Sequence, residues 1–402
     1  MMQPLGVYLS VPFCRAKCTY CNFASGVFGA ERMDAYVARV CVEIRAVGRR
    51  TDSMRAELPR QVDSVYLGGG TPSLLSAEQV RRVIEALRTS FEIADSAEIT
   101  LECAPGQLSD ETADALLAAG MNRVSFGVQS FVDAEARAVG RLHTREVCLK
   151  EIVRLQRAGV ENINVDLIAG LPEQTAASWR ESVDVAIATG VPHISMYMLE
   201  VDEDSRLGRE MLAAGTRYGA AGVPDEDAIA EWYGAACEWL ASAGVHQYEI
   251  SNFAREGYAS LHNMKYWRRE PYVGFGLDAH SMLRSREEVV RFANTSELDK
   301  YLANAQETSL LPVLDAGADL DRMGREQQFE EALFLGLRMN PGVSLPDLRV
   351  EFGVALVESV REPLEDVIEA GLMERDGDRI RLTARGRMAS NEVFGRLLVV
   401  AA

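Results

Sequence analysis

From residue 5 to about 200 the chain alternates short runs rich in β-branched and aromatic residues with longer stretches of helical periodicity. That is the rhythm of βα units wound around a parallel sheet. The short runs place strands near 5–11, 62–68, 97–103, 122–128, 161–167 and 193–199, and the helical patterns at 31–50, 76–90, 109–119, 144–158 and 175–188 supply the crossovers. Six units make most of a barrel without reaching the eight of a closed one. The fold class expected over residues 1–200 is therefore α/β, a partial (β/α)6 barrel of the TIM type.

After residue 200 the alternation lapses. Gly219 to Pro224 reads as a linker, Asp225 to Ala243 as an amphipathic helix with Asp225 near its start, and His246 to Ser251 as a strand. A dense aromatic and histidine region follows, Leu261-His-Asn-Met-Lys-Tyr-Trp267 and then Tyr272-Val-Gly-Phe-Gly-Leu-Asp-Ala-His280, expected as a strand and loops that extend or cover the barrel. This α/β extension occupies 201–320. From 321 to 402 a small domain is expected, with helices near 325–338, 344–352 and 355–370, a hairpin turning at Asp376-Gly377, and a last helix. The order is that of a winged helix, serving as a packing or lid domain.

Composition narrows the partners. With 402 residues, 48% of them hydrophobic, the chain can bury a large core in two or three domains. No run approaches the roughly 18 apolar residues of a membrane helix, and no basic-then-apolar leader opens the chain, so a cytoplasmic location is expected. A net charge of −18 repels phosphate backbones, and residues 322–402 hold 11 Arg against 14 acidic residues. Nucleic acid is thus not an expected partner, winged helix notwithstanding.

Three of the seven cysteines fall within eight residues, Cys14-Arg-Ala-Lys-Cys18-Thr-Tyr-Cys21. Three thiolates so spaced can converge on one side of a loop and hold an iron-sulfur cluster, one ligand short of the usual four. Structural zinc wants a fourth ligand that is not nearby, and a redox pair formed by Cys18 and Cys21 leaves Cys14 unexplained. Cys41, Cys103, Cys148 and Cys237 are scattered and read as core packing. Other polar residues that break the strand pattern stand at strand ends: Gly68-Gly-Gly-Thr71 after the second strand, Glu102 ending the third, Gln129 after the fourth, Asp166 near the end of the fifth. In a parallel barrel these ends share one rim, where such folds carry their chemistry.

Cys-x-x-x-Cys-x-x-Cys is the hallmark of the radical SAM superfamily, and with the motifs in order nearly the whole chain resembles the HemN/HemW family within it. The resemblance implies a [4Fe-4S] cluster on Cys14, Cys18 and Cys21, whose open iron takes S-adenosylmethionine. It also implies that Tyr8, Gly69, Gly70, Thr71, Glu102, Gln129, Arg141 and Asp166 surround that cofactor. A glycine-rich loop offers backbone groups to the methionine end, a carboxylate suits ribose hydroxyls or an ammonium, and Arg141 suits a carboxylate. Oxidases of the family, which decarboxylate coproporphyrinogen III, carry a fourth cysteine where this chain has Phe23. Phe23 and the run His262-Asn-Met-Lys-Tyr266-Trp267 are instead similar to the HemW branch, which implies heme binding and delivery to respiratory membrane hemoproteins. A decarboxylating oxidase and a radical SAM methyltransferase are the alternatives, the latter lacking the His-Asn-x-x-Tyr-Trp run. A homodimer of the cluster-loaded chain is carried as a further partner expectation. For heme, His262 with Tyr266 and Trp267 is the expected contact, with Lys265, Arg268 and Arg269 near enough in sequence to meet propionates; His280 is the other histidine in the same region.

Overall fold

The computed structural model describes residues 3–285, 288–303 and 320–398. Residues 304–319 of the expected extension lie outside them. The first half runs β1 (Leu5–Val11), α1 (Ala30–Ser53), β2 (Gln61–Gly69), α2 (Ala77–Ser90), β3 (Glu92–Cys103), α3 (Asp110–Ala118) and β4 (Arg123–Gln129). It continues with α4 (Asp133–Ala138), α5 (Arg145–Arg157), β5 (Asn162–Ala169), α6 (Ala176–Ala188) and β6 (His193–Met198). All six strands pair in parallel, in sequence order. Side-chain caps open the crossover helices: Ser76, Ser109, Thr144 and Thr175 each accept from the backbone N–H three residues on, satisfying a donor the helix start leaves free.

Each strand has two faces of opposite character. Val7, Leu9, Val65, Leu67, Leu101, Val124, Phe126, Ile163, Val165 and Ile194 form one core with the helices. The register sets Tyr8, Tyr66, Thr100, Arg123 and Asn162 side by side on the other face. A closed (β/α)8 barrel fills its interior with aliphatic layers; this one fills it with hydroxyls, amides, carboxylates and stacked rings.

The second half adds α7 (Arg206–Leu212), α8 (Glu226–Ser242), β7 (His246–Gln247), β8 (Asn252–Ala254), α9 (Leu261–Trp267), β9 (Tyr272–Phe275), β10 (His280–Ser285), β11 (Glu288–Ala293) and β12 (Asp321–Met323). Strand β9 joins β1 in parallel, β10 to β12 follow antiparallel, and β8 and β7 extend the β6 edge, giving a twelve-stranded sheet among the described residues. The strand expected at 246–251 is confined to its first two residues, because the chain turns where Glu249 buries its carboxylate to accept from the Ser251 N–H. The expected helix with Asp225 at its start is α8, capped by Asp225.

Sequence reasoning placed the aromatic run 261–267 in a strand or loop, and there the structure differs. The run is α9, capped by Ser260, and it plugs the end of the barrel where the strands begin. Lys265 Nζ reaches the Pro4 carbonyl at 2.9 Å and Asp63 at 2.8 Å, both at strand starts.

Residues 325–398 carry a three-stranded sheet and helices around a second core; the expected hairpin is present but turns at Gly377-Asp378, one residue beyond the expected Asp376-Gly377, and the single helix expected at 355–370 is broken at Val360. This domain docks on the plugged end. Arg338 stacks on Trp267, Arg269 pairs with Glu351 at 2.8 Å, and the Asn340 N–H donates to the Tyr248 carbonyl at 3.0 Å. Of the two roles considered for it, packing fits this placement and a lid over the opposite rim does not.

Candidate functional site

The rim is built by the loops that follow the parallel strands. After β1 the chain leaves the sheet at Pro12 and forms the loop carrying Cys14, Cys18 and Cys21, all three partly exposed and none in a disulfide. Three neighbours fix this loop. The Cys14 N–H donates to the Gly26 carbonyl at 2.9 Å, the Thr19 N–H to Val139 O at 3.1 Å, and the Leu207 N–H to Thr19 O at 2.8 Å. Two side chains point at sulfur: Arg141 Nη1 lies 3.3 Å from Cys18 Sγ and Thr71 Oγ1 3.6 Å from Cys14 Sγ. Burial works against the charge on Arg141, but Tyr20 and the Cys18 thiol beside it outweigh that and hold the guanidinium above its ordinary value. Burial pushes the Cys21 thiol up, opposed by the Phe23 N–H and Lys17.

Donors aimed at thiol sulfur are what a thiolate cluster requires around it. Among the described residues no three Cys, His, Asp or Glu side chains converge as a single metal ion demands. A cluster spreads its thiolates over separate irons, whereas zinc gathers four ligands on one ion. The cradle is also shaped by what is missing: a Cβ on Gly70 would meet the Val11 carbonyl oxygen at 2.8 Å and Cys14 Sγ at 3.0 Å.

The inner face leads down from this loop. Glu102 accepts from the Gly69 N–H and from the Tyr66 hydroxyl, each at 3.0 Å. Burial and the neighbouring Asp166 carboxylate raise its pKa to about 7. Asp166 accepts from Asn164 Nδ2 at 2.7 Å and is itself raised by burial. Gln129 stands at a bulge with φ 69°; among the described residues its buried Oε1 has no partner, and Arg141 Nε likewise has none. Two carboxylates, an orphaned amide oxygen and an orphaned guanidinium N–H opening on one mouth suit a zwitterionic, cationic ligand. Of the residues expected to surround a cofactor, the structure therefore brings Tyr8, Gly69, Gly70, Thr71, Glu102, Gln129, Arg141 and Asp166 to one region beside the cysteines.

The structure encloses the histidine of the expected heme contact. His262 is 1% exposed, with Nδ1 3.0 Å from Ser64 Oγ and Nε2 2.9 Å from the Tyr266 hydroxyl. Both ring nitrogens are engaged, one donating and one accepting, and the ring stacks on Tyr66 at 5.2 Å. Tyr266 meets Tyr272 edge-on, Trp267 is covered by Arg338, and Lys265 and Arg269 are committed to Asp63, Glu270 and Glu351. The run His262 to Trp267 is a plug between barrel and C-terminal domain, with His262 and Lys265 buried at its centre.

Ser125, Asn164, Ser195 and Tyr197 share the inner face with the expected residues and were not singled out from the sequence. Their signal was available: Arg123-x-Ser125-x-Gly127, Asn162-x-Asn164-x-Asp166 and His193-x-Ser195-x-Tyr197 alternate polar with apolar, a period-two pattern that a parallel strand buried on both faces does not show.

Comparison with known proteins agrees with this arrangement. Residues 8–186 match the Radical SAM superfamily and residues 324–389 the HemN C-terminal domain. The chain is 32% identical over 399 residues to the heme chaperone HemW of Lactococcus lactis subsp. lactis, covering 99% of this chain and 98% of that protein. It is 32% identical over 392 residues to the heme chaperone HemW of Bacillus subtilis, covering 97% and 98%. Its fold is that of the solved coproporphyrinogen III oxidase HemN from Escherichia coli, with a TM-score of 0.80 at 22% identity over 99% of this chain and 91% of that one. With the barrel, the three-cysteine loop and near-complete overlap in agreement, the chain belongs to the HemW family of radical SAM proteins.

Proposed function

We propose that this chain is a heme carrier: it holds a [4Fe-4S] cluster on Cys14, Cys18 and Cys21, takes S-adenosylmethionine between that cluster and the Glu102–Asp166 side of the mouth, and hands heme to respiratory membrane hemoproteins. When bound, the cluster supplies one-electron chemistry to the cofactor's sulfonium. The chain's own residues bind and orient. Gly69, Gly70 and Thr71 present backbone beside Cys14, Glu102 and Asp166 offer negative charge to a cation, and Arg141 faces a carboxylate while donating to Cys18.

The single observation that carries the carrier reading is a 32% identity, over nearly the full length of both chains, to proteins named heme chaperone HemW. Phe23 supports it. It stands, 62% exposed, two residues after Cys21, where the resemblance puts a fourth cysteine in the decarboxylating oxidases. The reading divides the chain into residues 1–200 for cluster and cofactor, 201–320 for widening the sheet and plugging the barrel, and 321–402 for bracing that plug. Among the described residues no helix is long and apolar enough to cross a membrane; we place the carrier in the cytoplasm, reaching its membrane recipients from that side, and the cluster-loaded form as a homodimer.

One experiment separates carrier from oxidase. The chain is reconstituted anaerobically with iron and sulfide, then given hemin in one arm, and coproporphyrinogen III with reductant and S-adenosylmethionine in the other. Stoichiometric heme uptake without protoporphyrinogen IX is expected. Turnover above background rejects the carrier reading.

A further inference from the structure

If heme is the cargo, an imidazole with a free lone pair has to stand where heme can reach it. The sequence holds five histidines. His193 is fully buried, its Nδ1 bonded to Asn164 Oδ1 at 2.6 Å and its Nε2 to the Tyr248 hydroxyl at 2.9 Å. His262 is bonded at both nitrogens, as described, and His143 is buried with Nε2 on the Val128 carbonyl at 3.1 Å. His246 is exposed, but it pairs with Ala254, which lies beside His193 at the start of β6, so it sits at the plugged end.

His280 differs from the three buried histidines in its exposure and from His246 in its end of the barrel. It opens β10, is exposed, and takes part in no side-chain hydrogen bond, ion pair or ring contact among the described residues. Its place follows from the register. Met282 pairs with Tyr272 and Tyr272 with Gly6, so these residues share the inner face. His280 lies two residues from Met282 on that same face, and because β10 runs antiparallel to β9 it lies toward the rim. Gly274 permits the approach, since a Cβ there would strike the His280 backbone. The turn before it holds Asp278 at φ 56°, outside the range most side chains adopt, close enough for its charge to bear on the Tyr8 phenol.

The same rim offers apolar surface. Phe23 and Val27, on the cysteine loop, are 62% and 64% exposed. Val27 is tied to the β9–β10 turn through a chain of contacts: its neighbour Phe28 packs edge-on against Phe13 at 5.6 Å, Phe13 against Tyr36 at 5.4 Å, and the Tyr36 hydroxyl accepts from the Leu277 N–H at 2.8 Å. Exposed aromatic and aliphatic groups on the same rim as an exposed imidazole match a flat macrocycle with a metal at its centre.

We propose that His280 is the axial ligand of the bound heme and that Phe23 and Val27 receive the porphyrin edge. This sets the cargo on the rim beside the cluster loop, at the opposite end of the barrel from the His262 plug. It rests on the reading of the chain as a heme carrier.

The test is titration of the full, cluster-reconstituted chain with hemin, following the Soret band, for wild type, His280→Ala and His246→Ala, with circular dichroism to verify that each is folded. Wild type and His246→Ala are expected to saturate alike. His280→Ala is expected to bind at least tenfold more weakly with a displaced Soret maximum, and millimolar imidazole is expected to restore the band, a rescue that a merely structural role would not show. If His280→Ala titrates as wild type does, the ligand assignment is overturned and the carrier reading stands. If wild type itself takes up no hemin, both are overturned.

Discussion

The guanidinium carbon of Arg338 lies 4.4 Å from the centroid of the Trp267 ring, joining the C-terminal domain to the helix that plugs the barrel. The same arginine stands 3.6 Å from Glu249, a carboxylate with no exposed surface. Burial raises the pKa of Glu249, and Arg338 is the first partner opposing that rise. Removing one member of a buried pair strands the other. With Arg338 itself a quarter exposed, Arg338→Met is expected to lose about 2–3 kcal/mol, below the usual range for a fully buried pair. A denaturant titration measures it, and limited proteolysis is expected to release residues 321–402 sooner.

The thiols divide sharply by environment. Cys41, Cys103 and Cys148 are buried, and burial pushes the last two up to about 12, far from the thiolate a metal needs. Cys14, Cys18 and Cys21 are partly exposed on one loop, with Arg141 at Cys18 and Thr71 at Cys14. Serine at any one of these three is expected to abolish most bound iron and the broad absorbance near 400 nm after anaerobic reconstitution, whereas serine at Cys41 or Cys237 leaves both in place. Iron content per chain decides.

The six strands and five long helices were legible because outer-face residues such as Val65, Leu67, Val124 and Phe126 repeat in the plain rhythm of strand then helix. The cysteine loop was legible because three thiols in eight residues have few other uses. The aromatic run 261–267 was not, because its role depends on a distant pairing: Lys265 answers Pro4 and Asp63, and His262 answers Ser64, some 200 residues away. Local reading sees a histidine among aromatics. Only the folded barrel shows that the ring is enclosed. His280, named as the other histidine of that region, ranked behind His262 for the converse reason: among the described residues its side chain has no partner, and a sequence does not display that.

His262 gives a pH signature. Burial, helped by the Lys265 and Arg123 charges, lowers its pKa to about 3, against about 6.5 for an unfolded histidine. Between these values the unfolded chain binds the extra proton, so this contribution to stability is present above pH 6.5 and is lost as pH falls toward 3. His193, also lowered by burial, acts in the same direction. In His262→Phe the dependence of unfolding free energy on pH between 6 and 4 is expected to be shallower, by up to about 1.4 kcal/mol per pH unit. At pH 7.5 the variant is expected to be less stable, since Ser64 and Tyr266 lose their partner.

Glu102 works in the opposite sense. Its carboxyl, raised to about 7 by burial and Asp166, keeps its proton in the folded chain over a range where the unfolded chain has lost it. Its contribution therefore declines as pH rises from about 4.5 to 7. For the cluster-free chain, Glu102→Gln is expected to gain about 1–3 kcal/mol relative to wild type at pH 8 and little at pH 5. Thermal unfolding at the two pH values measures the difference. In the reconstituted chain the ionised form attracts a cation, so S-adenosylmethionine is expected to bind more weakly to wild type at pH 6 than at pH 8, with the dependence flattened in the Gln variant.

Gly70 tests whether the two loops of the rim are one object. Its N–H donates to the Val11 carbonyl at 2.9 Å, so the glycine-rich loop lies against the start of the cysteine loop. A methyl group here would press on two backbone oxygens, those of Val11 and Phe13, as well as on Cys14 Sγ, with separations of 2.8 to 3.0 Å. Backbone cannot rotate away as a long side chain can, so the cysteine loop itself has to shift. Outside that contact the change is small, because the hydrophobic core lies on the far side of the sheet. Gly70→Ala is therefore expected to keep its circular dichroism and to lose no more than about 1–3 kcal/mol of stability, the usual cost of overpacking. It is expected to incorporate less than half the wild-type iron and to bind S-adenosylmethionine at least tenfold more weakly. An Ala variant with full iron content and unchanged cofactor affinity would show that the glycine-rich loop and the cysteine loop move independently.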